Sequence, residues 1–149
     1  MSVEIRKIDP RSELGRELYA GSSQEQMQRY GRDGGRSVDE LAEEGVVFVA
    51  ALLDGKPAGC GAVVPLEPGV GELSRIFVHE SARRRGVGKA ILAWIEDHAR
   101  GSYGKLVLET GIAQPESIAL YEACGYTSIP CWGKSETNPR SRCYEKKLG

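Results

Sequence analysis

Seven consecutive residues, Arg83-Arg84-Arg85-Gly86-Val87-Gly88-Lys89, place four cations and two glycines between an apolar run, 73–78, and an amphipathic run, 87–99. That order predicts a strand, a basic glycine loop and a helix. Glycine lets the backbone approach a ligand closely because no Cβ intervenes. A helix start adds unpaired N–H groups and the positive end of its dipole. The loop therefore suits a phosphate-bearing ligand, and its glycines and flanking elements set it apart from a solvated charge run.

The elements that must position these groups follow from periodicity. Alternation over Val3 to Ile8 predicts a short strand. Asp9-Pro10 then opens a helix over Arg11 to Tyr19, and a second helix runs from Ser23 to Tyr30 before Gly31-Arg-Asp-Gly-Gly breaks it. Ser37 with Glu40 three residues on is a capping box, so 37–44 reads as a short helix. Strands are expected over Val46 to Leu53 and Pro57 to Val64, joined by an Asp54-Gly55 hairpin turn. Pro65 to Val70 reads as a turn and Gly71 to Val78 as a central strand. The helix from Val87 to Ala99 would turn Val87, Ala90, Ile91, Trp94, Ile95 and His98 inward. A short buried strand at 106–108 follows, then a helix over Pro115 to Cys124 with Ile118, Leu120 and Tyr121 inward, and two last strands, 126–129 and 141–148. The sum is one α+β (mixed α/β) domain over residues 1–149.

Composition narrows the classes. A length of 149 residues fits one core, and 40% hydrophobic with 28% charged residues is ordinary for a soluble domain. No apolar stretch approaches the roughly 20 residues a membrane span needs, and the N-terminus has no signal-peptide core, so a cytoplasmic location is expected. A net charge of −1 argues against a nucleic-acid partner. The four cysteines, Cys60, Cys124, Cys131 and Cys143, match no zinc spacing. Reduced thiols and no metal are expected, with Cys60 a core residue.

Three segments together resemble the GNAT superfamily of N-acetyltransferases. Arg83-x-x-Gly86-x-Gly88 is similar to that family's acyl-CoA pyrophosphate loop. Leu73-Ser-Arg-Ile-Phe-Val78 looks like its fourth strand, and Glu116-Ser-Ile-Ala-Leu-Tyr-Glu-Ala-Cys-Gly-Tyr126 like its tyrosine-bearing helix. The resemblance covers Val46 to Leu148 well and the first 45 residues weakly. It implies a twisted, mostly antiparallel sheet, splayed between its fourth and fifth strands and flanked by helices. It implies acetyl-CoA as cosubstrate: the pyrophosphate on Arg83, Arg84, Arg85, Gly86, Val87, Gly88, Lys89 and Ala90, the pantetheine arm along Ile76, Phe77 and Val78, with Gln114 and Ser117 beside it. Tyr121 would be the acid for the leaving thiolate, Glu72 the base acting through water, and the Val78 N–H the group polarising the acetyl carbonyl. The chain departs from the pattern in placing Gln114 where Asn is usual, Ser117 where Ala is usual, and Tyr126 where Phe is usual, the last adding only a hydroxyl.

The implied reaction is acetyl transfer to a primary amine, of a small molecule rather than a protein N-terminus or lysine, since no peptide-binding extension is evident. The acceptor walls would be Gln24, Gln26, Arg29, Tyr30, Arg32 and Asp33 on one side and Trp132, Lys134 and Glu136 on the other, with Trp132 an exposed aromatic on its loop. Arg75 and Glu109 lie near the expected splay, where a structural salt bridge is the common outcome. A homodimer is compatible with the sequence. Two rivals stand beside this reading. One is a dinucleotide-binding domain, with Glu109 as ribose acid, disfavoured by Ile91 at the third glycine position and by seven residues between strand and Gly86. The other is an acyl-CoA sensor that transfers nothing.

Overall fold

The computed structural model describes residues 2–149. Strands β1 (Val3–Lys7), β2 (Val47–Leu53), β3 (Lys56–Glu67), β4 (Val70–Val78), β5 (Lys105–Gly111), β6 (Thr127–Ile129) and β7 (Ser141–Lys147) form one sheet in the order β1-β2-β3-β4-β5-β7-β6. Helices α1 (Glu13–Tyr30) and α2 (Val38–Leu41) precede β2, α3 (Val87–Ala99) links β4 to β5, and α4 (Pro115–Ala123) links β5 to β6. All neighbours pair antiparallel except β4 and β5. A doubly wound parallel sheet, which the dinucleotide rival needs, is not what these strands make.

The β4–β5 pair is parallel for only three residues, Val70↔Lys105, Gly71↔Leu106 and Glu72↔Val107. Beyond Glu72 the strands part, as the resemblance implied, and a gap opens at the C-terminal end of β4. Two cores flank the sheet. One joins α3 and the three tyrosines Tyr121, Tyr126 and Tyr144 to Val49, Leu73, Leu106 and Leu108. The other joins Leu18 and Leu41 to Phe48, Ala50, Cys60, Ala62 and Phe77.

A bulge in β4 shapes the gap. Cys60 pairs with Phe77 and Ala62 with Ser74, so three steps on β4 meet two on β3. Arg75 takes a left-handed backbone, φ 55°. The bulge breaks the two-residue alternation: Leu73 and Ile76, three apart, both pack on the α3 side. The Arg75 side chain thereby goes to the α1 side, where it is 3% exposed. There it donates to Asp33 Oδ2 at 2.7 Å, Tyr19 Oη at 3.0 Å, Ser22 Oγ at 3.3 Å and the Arg36 carbonyl at 3.0 Å. The salt bridge expected of Arg75 is thus with Asp33, and it ties the loop after α1 to the sheet.

Several expectations are corrected. The two N-terminal helices are one, running through Gly21-Ser22-Ser23. A Cβ at Gly21 would lie 3.0 Å from the Phe77 ring, so glycine lets α1 pack closely on it, and Ser22 is a buried partner of Arg75. Strand β3 continues to Glu67, confining the expected 65–70 turn to Pro68-Gly69. On α3 the buried set is Val87, Ile91, Leu92, Ile95, Glu96 and Ala99. His98 is exposed and stacks on half-buried Trp94 at 5.2 Å. Glu96 can be buried because Tyr126 Oη donates to it at 2.9 Å and Lys146 Nζ at 2.9 Å, so the extra hydroxyl of Tyr126 has a structural use. Cys131 and Cys143 form a disulfide, which corrects the expectation of four reduced thiols. It closes the 131–143 loop, on which Trp132 is half-buried rather than exposed. Cys60 is buried, and burial pushes its thiol up to about 12, as expected of an inert core residue.

Candidate active site

The basic loop folds as its glycines require. Arg84 (φ 65°) and Gly86 (φ 80°) are left-handed, and Gly86 is the N-cap of α3 with no side chain capping the first turn. The N–H of Ala90 already bonds the Gly86 carbonyl at 3.0 Å, so the N–H groups left for an anion end at Lys89. A Cβ on Gly88 would lie 2.8 Å from Leu120 Cδ2, so glycine lets the start of α3 meet α4. Between them lies a cleft of about 560 Å³ whose walls include Ile76, Phe77, Val78, Arg83, Arg84, Gly86, Val87, Gly88, Lys89 and Ser117. Of the expected cofactor residues, Arg85, Ala90 and Gln114 do not line it. His79 N–H bonds the Ala58 carbonyl across β3 at 2.7 Å. By strand alternation the Val78 N–H therefore faces the opposite edge of β4, the open one.

A second cavity, of about 740 Å³, opens on the other side of the gap, walled by α1, the loop after it, β4, β5 and the 131–143 loop. Both cavities are lined by Glu25 and Ile76, so they meet there. Helix α4 serves both: Ser117 and Leu120 face the cleft, and Tyr121 faces the second cavity. Tyr121 is 4% exposed, against Tyr126 and Tyr144 at ring distances of 5.8 and 6.4 Å. Burial, with the nearby Glu25 carboxylate, pushes its phenol well above the ordinary value, so it stays protonated. Glu72 lines the same cavity, held at 2.8 Å by Arg36. Gln114 lies here too, accepting a hydrogen bond from Tyr30 Oη at 3.1 Å.

Glu25 was not singled out by the sequence. Its Oε1 accepts from Arg83 at 2.7 Å and pairs with Arg29 at 3.0 Å, and Arg29 continues to Glu116 and to the Ala113 carbonyl. This chain links the basic loop to α4 across the gap. The four-residue spacing of Glu25 and Arg29 was the only local signal. Arg36, Asn138 and Arg140 also line the second cavity unannounced, whereas Gln26, Tyr30, Arg32 and Lys134 were expected there. Gln24, Arg29, Asp33, Trp132 and Glu136, also expected as walls, do not line it. Among the described residues no cluster of three or more His, Cys, Asp or Glu is placed to hold a metal, and no helix is long and apolar enough to cross a membrane.

Comparison with known proteins agrees with this geometry. Residues 10–126 match the model of the acetyltransferase (GNAT) family, and the chain belongs to that family. It is an acetyl-CoA-dependent acyltransferase by that membership. It is 38% identical over 110 residues to an IAA acetyltransferase of Azospirillum brasilense, covering 72% of each chain. A solved structure from Klebsiella pneumoniae, provisionally assigned as an acyl-CoA N-acyltransferase, superimposes with a TM-score of 0.79 at 29% identity over 99% of this chain and 98% of that one. The PaiA N-acetyltransferase of Thermoplasma acidophilum, solved with coenzyme A, shares the fold at a TM-score of 0.71 and 17% identity, covering 99% of each chain.

Proposed function

We propose that this protein transfers the acetyl group of acetyl-CoA to a primary amine of a small molecule, by direct attack in a ternary complex. The observation that supports this most is the meeting of two cavities at Ile76 and Glu25, with Tyr121 lining the second of them near Glu25. The cleft takes the donor: the 83–89 loop holds pyrophosphate with backbone N–H groups and cations, and the open edge of β4 pairs with the amide-bearing arm as an added strand would. The second cavity takes the acceptor.

In the reaction the amine nitrogen forms a bond to the thioester carbonyl carbon and the carbon–sulfur bond breaks. The Val78 N–H polarises the carbonyl oxygen. Glu72 accepts the proton the amine loses, through a water, and Tyr121 Oη donates a proton to the departing thiolate. The products are an N-acetyl compound and the free thiol of coenzyme A. The Arg36 pair fits a positioned carboxylate as well as a salt bridge, so Glu72→Gln is the informative variant: the reading expects kcat to fall about tenfold or more with coenzyme A affinity unchanged.

The name of the Azospirillum relative, an acetyltransferase of IAA, supports a small-molecule acceptor here. Acetyl-CoA with a panel of amines, followed by free thiol release, tests the proposal. Acceptor-dependent thiol is expected. Tight coenzyme A binding with no acceptor-dependent thiol across the panel would replace transfer with sensing. A cytoplasmic location goes with this reading. The Cys131–Cys143 bond is one that reducing compartments disfavour, so its state in protein isolated with thiols blocked tests that location. A homodimer is tested by light scattering.

A further inference from the structure

Resting on the transfer reading, we infer that the acceptor carries an acidic group besides its amine, a carboxylate or a phosphate, seated on Arg32, Lys134 and Arg140. Five cations and four acids line the second cavity. Every acid is engaged. Glu25 is held by Arg29 and Arg83, Glu72 by Arg36, Glu40 by the Ser37 N–H and Glu109 by Ser141 Oγ. Two cations, Arg36 and Arg75, are paired with Glu72 and Asp33. The remaining three, Arg32, Lys134 and Arg140, have no acidic partner among the described residues. They come from two loops far apart in sequence, and none of them pairs with Glu40 or Glu109, the two cavity acids held by uncharged donors.

The wall is built rather than incidental. The Arg140 guanidinium stacks over the Tyr30 ring at 5.1 Å. Tyr30 is itself fixed by its hydrogen bond to Gln114 and by contact with Gly111, where a Cβ would collide with its hydroxyl. The Cys131–Cys143 disulfide pins the loop carrying Lys134 and Arg140. A planar guanidinium over an aromatic ring presents its N–H fork to a carboxylate or phosphate.

Thiol release is measured with phenylalanine, phenylalanine amide and phenethylamine, and with O-phosphoethanolamine against ethanolamine. At least a tenfold preference in kcat/KM for one acid-bearing member over its acid-free counterpart is expected, and the pair showing it tells carboxylate from phosphate. In Arg140→Gln, and more so with Lys134→Gln added, that ratio falls toward one, while coenzyme A affinity reports an intact fold. Equal rates with and without the acid overturn the inference and leave the transfer reading standing. No thiol from any acceptor overturns the transfer reading. The acidic group is then decided by calorimetry on the coenzyme A-loaded protein with N-acetylphenylalanine, its amide and N-acetyl-O-phosphoethanolamine. An acid at least tenfold tighter than the amide supports the site, and equal binding, or none, overturns it.

Discussion

The two cavities on either side of the β4–β5 gap are made differently. The donor cleft is made mostly from one stretch of chain, 76–89, and its binding groups are largely backbone: the open edge of β4, two glycines and the first turn of α3. The proposed acceptor cavity is made of side chains from α1, two loops, β4, β5 and α4, several of them tied to one another, as Arg36 is to Glu72, Tyr30 to Gln114 and Ser141 to Glu109. Backbone recognition is indifferent to most substitutions, so the proposed donor site tolerates change in most of its side chains. Side-chain recognition changes with each residue, so the acceptor site is where this chain is particular. Glu25 and Ile76, on the boundary, line both.

That contrast can be broken or sharpened by substitution. Tyr121→Phe removes only the hydroxyl of the proposed acid: kcat is expected to fall about 10³-fold with coenzyme A affinity unchanged, and an unchanged rate in a thiol-release assay would remove Tyr121 from the chemistry. Asp33→Asn strikes only the acceptor side. Burial alone would raise the Asp33 carboxyl, but hydrogen bonds from Arg75, Ser23 and Gly35 hold it below its usual value. Its stabilisation is therefore present above the ordinary Asp pKa of about 3.9 and lost as pH falls below it. The variant, leaving Arg75 buried without its partner, should lose about 3–5 kcal/mol at pH 7 by urea denaturation, and its gap from the parent should narrow as pH drops toward 3. A constant gap would contradict the pairing.

Cutting the disulfide by Cys131→Ser with Cys143→Ser should cost about 3 kcal/mol and raise the acceptor KM while sparing the donor. A matching loss of coenzyme A affinity would show that the two sites are not separable. Gly88→Val acts on the donor side, since its branched side chain would collide with Leu120. About a 100-fold loss of coenzyme A affinity, roughly 2.7 kcal/mol, is expected by calorimetry with an unchanged circular dichroism spectrum.

The same contrast explains what could be read from the sequence. The basic loop, α3, the Ser37 capping box and the Asp54-Gly55 turn are local patterns, and all appear in place. The continuity of α1 was hidden because Gly21-Ser22-Ser23 is poor helix sequence. The Phe77 ring and the Arg75 guanidinium hold those residues in a helix from outside it. Arg75 itself gives no sign that it will adopt a left-handed bulge. The Cys131–Cys143 pairing depends on β6 folding back along β7, which twelve residues of spacing do not reveal. Glu25 reaches both cavities only once α1 lies across the gap. The donor cleft was therefore legible, and the acceptor cavity, assembled by tertiary contacts, was legible only as a set of walls.

A crystal structure with acetyl-CoA bound tests the central claim most directly. The account predicts the pyrophosphate on the N–H groups of Val87 to Lys89, the arm along the open edge of β4, and the thioester sulfur within hydrogen-bonding reach of Tyr121 Oη. A pyrophosphate seated away from the 83–89 loop, or a sulfur turned away from Tyr121, would contradict it.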